Sequence, residues 1–231
     1  MKKLLLLSVI VLFCSYAGNL FAAPIPVNVF SSYFSISGSI EGEDYSSFSP
    51  YSASYDDSGS IPLANGVNYG NYYNGGSASS QAGFFYVNAK AGGGGNGPNS
   101  ALAVADVLFQ PLSPMTQFTI SYQGGLAGGA GGEYSGYIEL KDLTDGIQIF
   151  SKGVPYSFWN GADGSYLIDY PLQTNNVYEL YLSAQADSYY DWQYVSIWTN
   201  DISAVVPEPT TMLLLGIGLM GLARVRRKLI Q

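Results

Sequence analysis

Three observations predict an all-β fold: a single jelly-roll-like β-sandwich ectodomain set between an N-terminal signal peptide and a C-terminal transmembrane helix. Short runs alternate apolar and polar residues with period two, as in Tyr178 to Asp187. Gly, Asn and Asp turns separate those runs, and nothing in the body sustains a helical period. The domain boundaries follow as 1–22, 23–205 and 206–231.

The N-terminal end is read first. Met1-Lys2-Lys3 is a basic start, Leu4 to Phe13 an apolar stretch, and Ala22 or Ala23 a small residue for cleavage. That order defines a secretory signal peptide. Cleavage after Ala22 avoids the Pro24 that would follow Ala23, with Ala17 as a further alternative. Cys14 would suit a lipoprotein only with a small residue before it, and Phe13 stands there instead.

The body has an unusual inventory. The chain has no His, and its single Cys is Cys14. Lys90, Lys141 and Lys152 are the body's only cations, whereas every acidic residue of the chain except Glu208 falls within it. Such a surface cannot neutralise phosphates, which excludes nucleic-acid binding. Disulfides cannot staple it, so stability must come from sheet packing.

Residues 27–80 are rich in Tyr, Ser, Gly and Asn and mix strand with long loop. Strands follow over Phe84 to Lys90, Ala101 to Gln110 and Gln117 to Gln123, with Gly124 to Gly132 read as flexible. Tyr134 to Lys141 and Ile147 to Ser151 form a hairpin turned by Asp145-Gly146. Tyr166 to Tyr170 is a short strand. In Tyr178 to Asp187, Leu180, Leu182, Ala184 and Ala186 face inward. Trp192 to Thr199 then pairs back antiparallel across Ser188-Tyr189-Tyr190.

Few constellations in the body carry chemistry. Gly92, Gly94 and Gly97 satisfy G-x-G-x-x-G, but Pro98-Asn99-Ser100 leads into a strand rather than a helix, so the run is an inter-strand loop. Without His there is no His-based triad and no His-ligated zinc. A Ser–Lys pairing has no local motif behind it. Two carboxylates suited to glycoside hydrolysis remain conceivable. Oxygen donors that would suit Ca²⁺ cluster at Glu41 to Asp44, at Asp56 and Asp57, and at Asp142 and Asp145, with solvated turns as the plain alternative. No other cofactor is expected. Trp159, Trp192 and Trp198 offer faces for stacking on sugars, although burial in a sandwich core explains them as well. Tyr51, Tyr55, Tyr69, Tyr72 and Tyr73 lie in a composition that resembles adaptable binding loops.

The C-terminal end is the most specific stretch. Val206-Pro207-Glu208-Pro209 is stiff and extended, because each proline fixes its own φ and restricts the residue before it. Thr210 to Ala223 is apolar and would make a helix of about 21 Å, short for a hydrocarbon core of ~30 Å. Arg224, Arg226, Arg227 and Lys228 form a membrane stop that places the terminus in the cytoplasm.

These three features in this order closely resemble the PEP-CTERM sorting signal, over roughly the last 26 of 231 residues. The resemblance implies export through the inner membrane of a Gram-negative, polysaccharide-producing bacterium, a transient stay in that membrane, and processing by an exosortase. The expectation is a non-enzymatic protein of the cell surface or extracellular matrix, structural or adhesive, with exopolysaccharide or another glycan as partner. A carbohydrate-binding module with a defined glycan site is the alternative. A glycoside-active enzyme using paired carboxylates is the third reading.

Overall fold

The computed structural model describes residues 24–43, 50–69, 76–93, 97–127, 132–155, 161–189 and 192–204. The expected signal peptide, 1–22, and the C-terminal stretch 206–231 lie outside them. The described residues form thirteen strands and no helix: β1 (Ile25–Glu43), β2 (Pro50–Gly59), β3 (Leu63–Tyr69), β4 (Gly76–Gly83), β5 (Tyr86–Gly92), β6 (Asn99–Pro111), β7 (Phe118–Ala127), β8 (Gly132–Asp142), β9 (Ile147–Gly153), β10 (Ala162–Ile168), β11 (Tyr178–Ser188), β12 (Trp192–Trp198) and β13 (Ile202–Ala204).

The turn between β8 and β9 is the tip of a long antiparallel ribbon. Stepping away from it, β8 pairs with β9, β7 with β10, β6 with β11 and β5 with β12. Successive rungs of the ribbon fall in different sheets, giving the orders β6-β11-β8-β9 and β5-β12-β7-β10. That is a jelly-roll winding inside the expected sandwich. The N-terminal strands widen it. β1, β2 and β13 complete a seven-stranded sheet one, and β4 and β3 complete a six-stranded sheet two. Every pairing is antiparallel except that of β1 with β13.

The expected hairpin is present, and Gly146 takes the left-handed φ of 67° that its turn needs. Leu180, Leu182, Ala184 and Ala186 all face inward, as their alternation requires. Two expectations change. β12 does not pair with the strand before it: both edges of β11 are occupied by β6 and β8, so the chain crosses to sheet two and enters between β5 and β7. Gly124 to Ala127 finish strand β7 rather than forming a flexible run. They do so because the rings of Tyr134 and Tyr194 lie over Gly124 and Gly125, where any Cβ would collide. Within 27–80 the strand expected beside loop is present, and β1 alone runs 19 residues.

β1 is long because it changes phase. Val27 and Val29 face the core before a register shift at Phe30, and Phe34, Ile36 and Ile40 face it afterwards. One inserted residue swaps odd for even, which is the action of a β-bulge. The core is graded along the strands. At one end Phe109 lies 5.7 Å from both Phe85 and Tyr178, and at the other Ala101 stands beside Ala186.

Candidate functional site

Sheet two presents its outer face through β12. Gln193, Val195 and Ile197 are buried, so the alternate residues Trp192, Tyr194, Ser196 and Trp198 point outward. The two tryptophans are half-buried on the outer face and do not belong to the sandwich core. Trp198 is in register with Tyr86 of β5, whose hydroxyl donates to Gln81 Oε1 at 2.6 Å. Between the aromatic positions, Asn88 Nδ2 donates to Ser196 Oγ at 2.7 Å. Lys90 Nζ sits 4.4 Å from the ring centroid of Trp192, a cation–π contact. Tyr194 rests on Gly125. Trp159 lies outside the described residues.

Sheet one has a different outer face. Strand alternation directs Asp56, Asp106, Glu133, Glu139, Glu179 and Asp187 outward, against Lys141. Lys141 bridges Glu139 at 2.9 Å and Glu179 at 3.0 Å. Hydrogen bonds to those two carboxylates, with Glu139 the larger influence, push the lysine pKa up. Asp106 stands between Tyr33 and Tyr181 on the neighbouring strands, and its Oδ1 is buried without a hydrogen-bond partner. Desolvation raises its carboxyl pKa, Glu179 raises it further and Lys141 opposes. Burial likewise raises Asp187, against a hydrogen bond from Gln185.

The residues considered for Ca²⁺ are placed as follows. Asp142 is buried and caps the β8–β9 turn, its Oδ1 accepting from the backbone N–H of Thr144 at 2.9 Å and of Asp145 at 3.1 Å. Asn176 Nδ2 donates to Asp142 Oδ2 at 2.7 Å and to Asp145 Oδ2 at 3.0 Å. Both Asp142 oxygens thereby accept hydrogen bonds from protein donors. Asp56 and Asp57 are consecutive on β2 and project to opposite faces. Among the described residues, no three His, Cys, Asp or Glu come together in an arrangement able to hold a metal.

A depression of about 660 Å³ lies where β1 meets β2, lined by Glu41, Glu43, Tyr51 and Gly97 among others. Glu41 and Glu43 project side by side from one strand. The tyrosines beside this region are not loop residues. Tyr51 is buried and stacks on Tyr69 with ring centroids 4.5 Å apart. Tyr55 lies over Gly38 and shares a 2.7 Å hydrogen bond with Ser80 Oγ. Tyr72 and Tyr73 are outside the described residues.

What fold and surface define, then, is an acidic β-sandwich body with two unlike outer faces. The remaining residues singled out in the sequence, Val206 to Pro209 and Arg224, Arg226, Arg227 and Lys228, lie outside the described residues. Comparison with known families supplies their identity: residues 205–228 match the model of the PEP-CTERM protein-sorting motif. The chain therefore carries a signal for export and exosortase-dependent membrane or surface sorting.

No curated protein matches the chain. Two solved structures show a distant likeness. A crystal structure of the infectious bursal disease virus VP2 subviral particle is 9% identical, with 77% of this chain and 63% of that chain covered and a TM-score of 0.20. The structure of the infectious bursal disease virus Gt strain is 9% identical, with 77% and 57% covered and a TM-score of 0.19. The chain spans less than two thirds of either, and likeness at that level carries no argument.

Proposed function

We propose that this is a non-enzymatic protein, without a cofactor, that exosortase processing delivers to the cell surface or extracellular matrix. There the sandwich body has a structural or adhesive role in the exopolysaccharide layer. The observation that carries the reading is the sorting-motif match at 205–228, which begins directly after the last strand, Ile202–Ala204. One feature of the body fits a role without catalysis. Lys141 is engaged in ion pairs with Glu139 and Glu179. A second reading, a carbohydrate-binding module, is favoured by the outward Trp192 and Trp198.

Replacing Val206 to Pro209 with four alanines should leave unprocessed protein in the inner membrane, read by intact mass after fractionation. Unchanged processing and location of that variant would overturn the sorting role.

A further inference from the structure

We propose that the outer face of sheet two binds an uncharged polysaccharide, laid along β12 on Tyr194 and Trp198 with Tyr86 beside them. The proposal names the partner of the matrix role above and rests on that role for its setting.

The strand itself fixes the spacing. Side chains two apart on one face are about 7 Å apart at a rise of ~3.4 Å per residue, so Trp192 and Trp198 stand roughly 20 Å apart along β12. That row is long enough for several sugar residues. Sugar rings present C–H faces that pack on aromatic rings, while their hydroxyls need donors and acceptors close by. Both are available here. Tyr194 is held against the sheet by its seat on Gly125, which has no side chain to lift it. Asn88 and Ser196 are tied to each other between the rings, and Gln81 is tied to the Tyr86 hydroxyl. Gln123, in register with Ser196, extends the polar row on the far side. These bonds orient the amides before any ligand arrives, which lowers the entropy lost on binding. Lys90 holds Trp192 through its cation–π contact, so Trp192 closes the row rather than forming its centre.

Charge selects the class of polymer. On this face strand alternation turns outward one cation, Lys90, and one carboxylate, Asp163, among the described residues, so the face is formally neutral. The opposite face is acidic, and the chain as a whole carries a net charge of −8. An anionic polymer is repelled by the body, whereas an uncharged one meets neither repulsion nor the cost of stripping water from ions.

The test is native affinity electrophoresis of the purified full chain in detergent. Separate gels contain hydroxyethylcellulose, dextran, galactomannan or alginate. At least one neutral polymer should retard the protein, and alginate should not. Trp198→Ala and Tyr86→Ala should each weaken retardation roughly tenfold, the scale of one lost aromatic contact. Tyr137→Ala, on the outer face of sheet one, should leave it unchanged. Tryptophan emission of the unaltered protein should also shift on adding the retarding polymer, a readout that needs no variant to fold.

No retardation by any neutral polymer would overturn the proposal, as would equal losses in all three variants. So would a face that serves self-association instead, seen as a dimer that Trp198→Ala converts to monomer while retardation persists. Failure here together with normal tail processing removes the glycan face and leaves the sorting role standing.

Discussion

Tyrosine and glycine act as pairs in this protein. Tyr55 lies over Gly38, Tyr194 over Gly125 and Tyr122 over Gly164, and in each case the two residues are register partners on adjacent strands. The ring covers backbone that glycine leaves bare, the arrangement known as aromatic rescue. This explains how a chain with 28 Gly and 20 Tyr still builds regular sheet. Gly125→Ala should therefore destabilise the fold by about 1–3 kcal/mol in urea titration, since Tyr194 must be displaced. Asp106 makes the opposite kind of contribution. Folding raises its carboxyl pKa, so its ionisation opposes the native state. That penalty is complete above the folded pKa and is relieved as pH falls toward the unfolded value of about 3.9. Asp106→Asn should raise the melting temperature at pH 7, with the gain vanishing near pH 3. An equal gain at both pH values would mean that packing, not charge, is responsible.

At the scale of elements, the tip of the β8–β9 hairpin is fastened by side-chain hydrogen bonds from both sides. Asp142 binds two turn amides and Asn176, and the backbone N–H of Val177 reaches Thr144 Oγ1 at 2.9 Å, fastening the turn to the start of β11. Asp142→Ala should cost about 1–3 kcal/mol by thermal or denaturant unfolding, because it leaves buried donors unpaired. The hairpin and β11 were legible in the sequence because turn chemistry and alternation are local signals. The partner of β12 was not: alternation tells which face a residue takes, never which strand lies beside it. β1 was hidden for another reason. The bulge at Phe30 shifts the phase of its apolar residues, so no single period runs through Val27, Val29, Phe34 and Ile36. The outward tryptophans could have been read from Val195 and Ile197, which hold the inward positions. Trp192, Tyr194 and Trp198 are themselves apolar enough to mask that alternation.

For the molecule as a whole, the acidic composition was plain in the sequence, but its division into one acidic and one neutral face exists only once the strands are arranged. The strand order also has a consequence in time. In sheet one, β11 fills the gap between β6 and β8, and in sheet two β12 fills the gap between β5 and β7. Both sheets thus wait for strands that come near the end of the chain, which makes the fold rich in non-local contacts. A chain ending at Ser188 should show no cooperative unfolding transition in circular dichroism; a sigmoidal melt would refute this dependence on β12. An exported chain emerges N-terminus first, so most of the body must remain open until residues 178–198 have crossed. The sorting-motif match begins at residue 205. Closure of the fold and arrival of the sorting signal at the membrane are therefore nearly simultaneous. During that wait unpaired strand edges are exposed, and the net charge of −8 makes neighbouring chains repel one another. The charge later gathered on sheet one thus has work to do before either sheet exists.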